Sequence, residues 1–301
     1  MKKILITGSN GLLGQKLVEL LLTKKKVEII ATARGKNRLP FPEEAYTFEA
    51  MDITNKEEVE AVIGKYKPDV VVHTAAMTNV DQCEKDKENC WAQNVTAVEN
   101  ILGACEKNDA FLLHLSTDFI FDGTQGPYNE DSEANPISFY GWSKWAAEKL
   151  VMHSKVKWAI ARTILVYGIA HDMSRSNIIL WVKNSLESGK NINVVNDQWR
   201  TPTLAEDLAK GCVLIAEKEA EGVYNLSGSD LLNPYQMAVH TADYFGLDKS
   251  LIAEATAATF SQPAKRPPRT GFDITKAREV LGYNPVSFKE GIAFLASQLN
   301  K

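Results

Sequence analysis

The sequence predicts an α/β fold, in which a doubly wound parallel sheet is followed by a smaller, partly helical C-terminal domain. Short apolar runs alternate with amphipathic stretches through the first half of the chain, as strand-helix-strand units do. A glycine-rich turn separates the first apolar run from the first amphipathic stretch, which is typical of a Rossmann sheet. In the second half, the alternation loosens into segments rich in Asn, Asp and Pro.

Apolar runs predict the strands, at residues 3–7, 28–32, 70–74, 111–116 and 158–165. Most are rich in Ile, Val and Leu, as strands buried on both faces are. Amphipathic periodicity between the runs predicts helices at about 12–23, 57–66, 89–107 and 140–153. Helical crossovers of this kind join parallel strands, so helices should cover both faces of the sheet.

The second half predicts an interleaved organisation. Three further helices are expected, at 176–188, 234–245 and 288–299, with one strand-like run at 222–226. We expect that run to return to the first sheet. Residues 1–167 are therefore predicted to form the nucleotide-binding domain, with about 203–228 returning to it, and residues 168–202 and 229–301 the substrate-binding domain.

Composition favours a cytoplasmic enzyme. A chain of 301 residues with a net charge of -4, its charges of both signs interspersed, has no basic stripe for nucleic acid or an anionic membrane. No run approaches the roughly 20 apolar residues of a membrane span, and no signal peptide is evident. The four cysteines and five histidines lack zinc-ligand spacing, so no metal is expected and the cysteines should be buried thiols.

The glycine turn after the first strand predicts a dinucleotide site. Gly8, Gly11 and Gly14 allow a sharp turn and a close approach of the backbone to a pyrophosphate. Free N–H groups at the start of the following helix would stabilise its charge. The expected contacts here are Gly8, Asn10, Gly11, Leu12, Leu13 and Gly14.

The end of the second strand selects the type of dinucleotide. An acidic residue there would accept a hydrogen bond from the ribose 2'-hydroxyl of NAD, but this chain has Arg34. An arginine facing a 2'-phosphate predicts NADP(H) as the preferred cofactor, with NAD(H) as the alternative. Asp52 and Ile53 are expected at the adenine edge; Asp52 or Thr54 could instead cap the next helix, and the two roles can coexist.

Tyr140 and Lys144 form the predicted catalytic pair. Residues four apart lie on one face of a helix, and the ammonium should lower the tyrosine pKa from its ordinary value of about 10. Such a pair is also common on solvated helices. The glycine turn upstream and the Ser116-Thr117-Asp118 segment at the end of an apolar strand favour a nicotinamide-dependent carbonyl reductase.

These motifs resemble the extended short-chain dehydrogenase/reductase family, and within it the dTDP-4-dehydrorhamnose reductases. The resemblance also includes residues 73–76, 162–163 and 166–168, and it continues through 77–81, 121–123, 196–198, 202–203, 222–226 and 266–267, so it covers essentially the whole chain. It implies NADPH-dependent reduction of the 4-keto group of a deoxysugar nucleotide in dTDP-L-rhamnose biosynthesis.

The resemblance also implies roles for individual residues. Tyr140 would donate the proton, Lys144 would hold the nicotinamide ribose and tune Tyr140, and Thr117 would hydrogen-bond the substrate carbonyl oxygen. Asn94 matches an asparagine that supports the site, although it could be an ordinary helix residue. Further cofactor contacts are expected from Thr74, Ala75 and Ala76, and substrate contacts from Thr78, Val80, Phe119, Trp199, Arg200 and Arg266.

Two positions depart from the reductase pattern. The family typically has Tyr where this chain has Phe119, and Trp where it has Leu165, so a related 4-keto sugar nucleotide would also fit. Arg200, with Arg266 or Arg269, could hold a diphosphate by forked hydrogen bonds. Trp199 could stack on a base or sugar, or it could simply pack.

Other functions remain open. A dehydratase or epimerase of the same fold would recycle a bound NAD, but dehydratases have a glutamate where this chain has Phe119. A regulatory subunit of methionine adenosyltransferase resembles the same subfamily and needs no catalytic set. Thr117, Tyr140 and Lys144 are all present and favour the reductase. The expected partner is a nucleotide-sugar substrate, and the chain could form a homodimer.

Overall fold

The computed structural model describes residues 1–172 and 177–299. The strands are β1 Lys2–Thr7, β2 Val27–Ala33, β3 Thr47–Ala50, β4 Val70–His73, β5 Phe111–Thr117, β6 Trp158–Thr163, β7 Val166–Tyr167, β8 Ile192–Val195, β9 Thr203–Leu204, β10 Gly222–Asn225 and β11 Ile252–Ala255. The α-helices are α1 Leu12–Leu22, α2 Lys56–Tyr66, α3 Val80–Lys85, α4 Lys87–Trp91, α5 Ala97–Asn108, α6 Phe139–Met152, α7 Ile178–Glu187, α8 Ala205–Lys218, α9 Pro234–Phe245 and α10 Phe288–Leu299.

Seven strands form one parallel sheet, in the order β10-β6-β5-β4-β1-β2-β3. The chain winds in one direction from β1 to β3 and in the other from β4 onwards. This reversal leaves a crevice at the carboxyl ends of β1 and β4, where ligands of such sheets bind. The predicted fold class is confirmed.

Successive side chains of a strand point to opposite faces of the sheet, and each face has its own apolar core. In β1, Ile4 and Ile6 join the apolar cluster formed with α1 and α8, whereas Leu5 joins the cluster formed with α2, α5 and α6. Residues i and i+2 of a strand share a face, so one apolar strand contributes to both clusters. The sheet is thereby fixed from both sides, and its carboxyl edge can hold side chains rigidly.

The structure adds elements that the sequence did not predict. β3 is a short edge strand, and α3 and α8 are helices in segments for which no element was predicted. The predicted helix at 89–107 consists of α4, a π-helical turn at Ala92–Thr96, and α5. The predicted strand at 158–165 ends at Thr163, because Leu165 has a left-handed backbone with φ of 37°.

The second half contributes both to the sheet and to a separate layer. β10 pairs with β6 at the edge of the main sheet, while α7 and α9 pack beside the small β8–β11 sheet. The helix predicted at 176–188 is α7; Ser176 lies outside the described residues. All four cysteines are buried free thiols, as predicted. No helix within 1–172 or 177–299 has the length and apolar character needed to cross a membrane.

Candidate active site

A cavity of about 840 Å³ lies along the carboxyl edge of the sheet. It is lined by nearly all of the predicted site residues: Gly8, Asn10, Gly11, Leu12, Leu13, Gly14, Arg34, Asp52, Ile53, Thr74, Ala75, Ala76, Thr78, Val80, Thr117, Phe119, Tyr140, Lys144, Arg200 and Arg266. Asn94 and Trp199 do not line it. The cavity also contacts residues from both halves of the chain, so the interleaved fold closes it.

The glycine turn is shaped to admit an anion at the start of α1. Gly8 has φ of +69°, and a side chain at Gly14 would collide with the Gly8 carbonyl and with Ser9. Gly11 precedes α1 and has no side chain to cap the N–H groups of the first helical turn. The close approach of the backbone and these uncapped N–H groups fit a pyrophosphate.

Arg34 extends into solvent at the rim of the cavity. Its side chain is 71% exposed, and its Nη1 atom lies 4.0 Å from Asp52 Oδ2. Asn10 holds the loop that follows Arg34. Its Nδ2 donates to the Lys36 carbonyl at 2.9 Å, and its Oδ1 accepts from the Arg38 N–H at 3.0 Å. Arg38 also lines the cavity and was not among the predicted site residues.

Asp52 does not cap α2, but it orders the turn before that helix and lies on the cavity wall. Its Oδ1 accepts from both the N–H and the hydroxyl of Thr54, at 2.9 and 2.8 Å, which orders the turn leading to α2. The cap of α2 itself is Asn55, whose side chain accepts from the Glu58 N–H. Asp52 and Ile53 remain on the cavity wall, at the position predicted for the adenine edge.

Tyr140 lies in the first turn of α6, against the end of β5. Ser138 caps this helix by accepting from the Gly141 N–H at 3.2 Å. A side chain at Gly141 would collide with the Phe119 carbonyl, so glycine lets α6 approach the turn after β5. Tyr140 is 7% exposed, and its ring meets Phe119 edge to face with a centroid separation of 5.6 Å.

Lys144 follows one turn later, with its ammonium turned toward β5. Its Nζ donates to the Leu115 carbonyl at 2.7 Å and lies 3.3 Å from His114 Nε2. Burial lowers the pKa of Lys144 to about 8, while Glu148 opposes the shift. Lys144 therefore carries a charge near neutral pH that it loses more readily than an ordinary lysine does.

Two buried histidines lie beside Lys144. His114 stacks on His73 with a centroid separation of 5.5 Å, and His73 Nδ1 is 2.8 Å from the Thr7 hydroxyl. Burial lowers the pKa of His73 to about 3 and that of His114 well below its ordinary value; the nearby Lys144 charge acts in the same direction. Both rings are neutral at physiological pH.

The expectation of a lowered tyrosine pKa is wrong for this chain. Burial raises the pKa of Tyr140 well above its ordinary value; a hydrogen bond with Thr117 opposes the shift, and the Asp118 charge adds to it. The two hydrogen bonds identified for Lys144 go to the Leu115 carbonyl and His114 rather than to the phenol. Tyr140 is consequently a neutral O–H group, ready to act as a proton donor.

Thr117, the last residue of β5, belongs to a buried polar group. Its Oγ1 accepts from the Phe119 N–H at 3.2 Å and donates to Asp118 Oδ1 at 3.1 Å. Asp118 Oδ2 lies 3.4 Å from Arg200 Nε and accepts from the Thr270 hydroxyl. Arg200 and Thr270 come from the C-terminal part of the chain, so this group joins the two halves at the cavity wall.

Asn94 braces the site from outside the cavity. It lies in the π-helical turn, where Oδ1 accepts from the Met77 N–H at 2.8 Å. Its Nδ2 donates to the Met77 carbonyl at 3.1 Å and to Ser143 Oγ at 3.0 Å. These bonds tie the segment after β4 to the helix that carries Tyr140.

The predicted substrate residues in the second half differ in placement. Arg266 lines the cavity but forms a two-point ion pair with Asp81, at 2.7 and 3.2 Å, so part of its guanidinium group is already engaged. Trp199 is not on the cavity wall, and its ring lies 5.6 Å from the Arg269 guanidinium.

Several lining residues were missed at the level of sequence. Gln93, Gln198, Pro234 and Thr163 line the cavity together with Arg38. Gln198 and Thr163 lie in segments noted for their resemblance to the reductases, so a signal for both was present. The others come together only through the fold.

Comparison with known proteins gives a family for the chain. A family described as the RmlD substrate binding domain matches residues 1–300. The chain is 31% identical to a dTDP-4-dehydrorhamnose reductase of Aggregatibacter actinomycetemcomitans, over 97% of each chain. The chain belongs to the RmlD family.

A solved RmlD-type structure supports the same assignment. The crystal structure of dTDP-4-dehydrorhamnose reductase from Bacillus anthracis in complex with NADP superposes with a TM-score of 0.84, at 26% identity, over 99% of this chain and 100% of that one. The predicted family and the predicted class, an NAD(P)-dependent oxidoreductase, are therefore confirmed. The chain is also 31% identical to methionine adenosyltransferase 2 subunit beta of Xenopus tropicalis, over 97% of this chain and 86% of that one.

Proposed function

We propose that this RmlD-family protein reduces the 4-keto group of a deoxysugar nucleotide with NADPH, as a dTDP-4-dehydrorhamnose reductase does. The observation that carries the proposal is the shared cavity wall of Thr117, Tyr140 and Lys144, which continues to the glycine turn at Gly8. A carbonyl compound and a dinucleotide can thus occupy one cavity.

The residues of the cavity fit NADP(H), which supplies the hydride to the ketone carbon when bound. The N–H groups at the start of α1 would hold the pyrophosphate. Arg34 and Arg38, on the rim, would bind the 2'-phosphate. Since Arg34 is largely exposed, NAD(H) could also enter, with weaker binding.

Tyr140 would protonate the oxygen of the reduced carbonyl. Its raised pKa keeps the hydroxyl protonated at neutral pH, so the acid is present in every molecule. Lys144, one turn further along α6, would stabilise the phenolate that remains and hold the nicotinamide ribose. By the resemblance to the reductases, Thr117 would lie beside the carbonyl oxygen.

The sugar nucleotide would occupy the part of the cavity closed by the second half of the chain. Val80, Phe119 and Leu165 form apolar wall there, which suits the deoxygenated face of a sugar. Arg200 and Arg266 would face the diphosphate with the donors that Asp118 and Asp81 leave free. We further propose residues 1–167 with 203–228 as the cofactor domain, 168–202 with 229–301 as the substrate domain, a homodimer, and a cytoplasmic location.

The proposed function is tested by NADPH consumption with dTDP-4-dehydro-6-deoxy-L-mannose. Removing the general acid in Tyr140→Phe should lower kcat on the order of 10²- to 10⁴-fold and leave NADPH binding intact. Tyr244→Phe is the matched control, because Tyr244 is exposed on α9 and should retain full activity. No turnover by the wild-type protein despite tight NADPH binding would exclude this sugar as the substrate.

A non-catalytic role is the second candidate, favoured by the similarity to methionine adenosyltransferase 2 subunit beta. It predicts that the protein binds a methionine adenosyltransferase and changes that enzyme's rate, whether or not Tyr140 is present. The reductase proposal predicts no such effect. An epimerase or dehydratase would instead be purified with NAD bound and would consume no NADPH.

A further inference from the structure

We infer that His114 is a positioning residue for Lys144: its Nε2 atom accepts a hydrogen bond from the ammonium group and, together with the Leu115 carbonyl, directs the remaining N–H of Lys144 toward the cofactor. This inference rests on the proposed reductase function and assigns part of the placement of Lys144 to a residue of another element. His114 belongs to β5 and is not on the cavity wall, so it acts on the reaction through Lys144.

The direction of this hydrogen bond follows from the chemistry of the two groups. A charged lysine has three N–H donors and no acceptor, whereas a neutral imidazole has one donor and one acceptor nitrogen. His114 Nε2, which lies 3.3 Å from Lys144 Nζ, is therefore the acceptor, and the ring hydrogen is on Nδ1. The buried Nδ1 has no hydrogen-bond partner among the described residues. No competing partner opposes this tautomer, so Lys144 decides it.

The His114 ring is fixed by its neighbour in the sheet. It is fully buried and stacks on His73, its partner in the register of β4 and β5, with an angle of 24° between the rings. Burial lowers the pKa of His114 well below its ordinary value, and the Lys144 charge acts in the same direction. A protonated ring could not accept a hydrogen bond from an ammonium group. The neutral ring thus remains an acceptor throughout the physiological pH range.

The other contacts of Lys144 leave one N–H for a ligand. The Leu115 carbonyl takes one N–H at 2.7 Å and His114 takes the second, so among the described residues the third has no acceptor; Lys144 itself lies on the cavity wall. Glu148 is committed to Arg162, at 2.8 Å. The titratable and charged groups around Lys144 and Tyr140 are Glu148 on α6, Cys83 on α3, Cys90 on α4, His73 on β4, His114 on β5, Asp118 after β5 and Arg162 on β6.

The pH dependence of kcat/KM tests the hydrogen bond. His114→Leu removes the acceptor, and a hydrogen bond to the charged form favours that form, so Lys144 should lose its proton more easily. The alkaline decrease, expected near pH 8 in the wild-type protein, should move about one pH unit lower. His114→Gln keeps an acceptor oxygen and should stay within about 0.3 pH unit of the wild type. An unmoved decrease in His114→Leu, or an equal shift in both variants, would overturn the inference.

Cofactor binding at pH 6, where Lys144 is charged in every variant, tests the direction of the third N–H. His114→Leu should raise the Kd for NADPH about 3- to 10-fold, because the ammonium has lost one of its two anchors, and His114→Gln should restore it to within about twofold. His153→Leu makes the same change at the exposed end of α6 and should alter neither the Kd nor the pH profile. An unchanged Kd in His114→Leu would contradict the positioning role.

A measurement without turnover distinguishes failure of this inference from failure of the proposed function. ¹⁵N NMR of the histidine-labelled wild-type protein at neutral pH shows which ring nitrogen carries the hydrogen, and the signal lost in His114→Gln identifies His114. We expect the hydrogen on Nδ1 and a bare Nε2. A hydrogen on Nε2 would refute the positioning role, even if the protein reduces the sugar nucleotide. The expected tautomer would support it, even if this sugar proves to be the wrong substrate.

Discussion

Lys144 combines a buried ammonium group with a pKa close to the working range of an enzyme. Burial lowers this pKa to about 8, whereas that of Tyr140 is raised far above it. The pH dependence of kcat/KM reports the ionisation of the free enzyme. We therefore expect kcat/KM to be at its maximum below pH 8 and to fall above that pH, as Lys144 loses its proton. A pH profile of kcat/KM with the keto sugar measures this alkaline decrease.

The Lys144→Arg variant tests whether Lys144 causes this decrease. Arginine stays charged at any pH that the protein tolerates, so kcat/KM of Lys144→Arg should show no decrease near pH 8, whatever its absolute rate. An unchanged decrease in this variant would mean that another group titrates. Tyr140 cannot explain it, since its raised pKa lies well outside this window.

Arg34 is the residue that should make the protein bind NADPH more tightly than NADH. It is exposed at the rim of the cavity, and its nearby carboxylate, Asp52, lies at the 4.0 Å limit of an ion pair. Arg34→Ala should raise the Kd for NADPH about tenfold, the value of one charge-assisted hydrogen bond, and leave the Kd for NADH nearly unchanged. Fluorescence titration measures both. Arg278→Ala, outside the cavity, is the control and should change neither, whereas an equal loss for both cofactors would contradict the role.

At the scale of elements, the start of α6 depends on a close approach that only glycine permits. A side chain at Gly141 would meet the Phe119 carbonyl and Pro136, so Gly141→Ala should lower the free energy of unfolding by about 1–3 kcal/mol and displace Tyr140. A side chain at Gly103, within α5, would enter open space, so Gly103→Ala should raise the free energy of unfolding by about 1 kcal/mol. Urea unfolding compares the two, and a stable Gly141→Ala protein would show that α6 can shift without cost.

The sequence anticipated the elements whose signals are local. Apolar runs predicted β1, β2, β4 and β5 to within about a residue or two, since parallel strands buried on both faces have few polar positions. β3 was not predicted because it is a short edge strand with half-exposed residues. The π-helical turn that places Asn94 has no sequence signature, because it follows from packing against Met77 and Ser143.

The candidate site divides in the same way. Glycine spacing and the Tyr140–Lys144 interval were readable, since each depends on a few neighbouring residues. The raised pKa of Tyr140 and the placement of His114 beside Lys144 were not, because both depend on burial and on strands distant in sequence. The contact between the Trp199 ring and the Arg269 guanidinium likewise depends on two loops that meet only in the fold.

At the scale of the whole molecule, the two halves complete each other's core. Leu208, Cys212 and Ile215 of α8 are fully buried in the cluster that covers one face of the main sheet. β10 adds the last strand beside β6. Without these elements, residues 1–167 would expose that face and an unpaired sheet edge.

We therefore expect the chain to unfold in a single cooperative transition, although its length would allow two independent domains. In calorimetry, the van't Hoff and calorimetric enthalpies should agree, and NADPH should raise the one melting temperature by mass action. Leu208→Ala should lower the free energy of unfolding by about 2–5 kcal/mol and shift the whole transition, since its core is shared by both halves. Two transitions, only one of them moved by NADPH or by Leu208→Ala, would instead mean that the halves fold separately and that the cavity between them opens without unfolding.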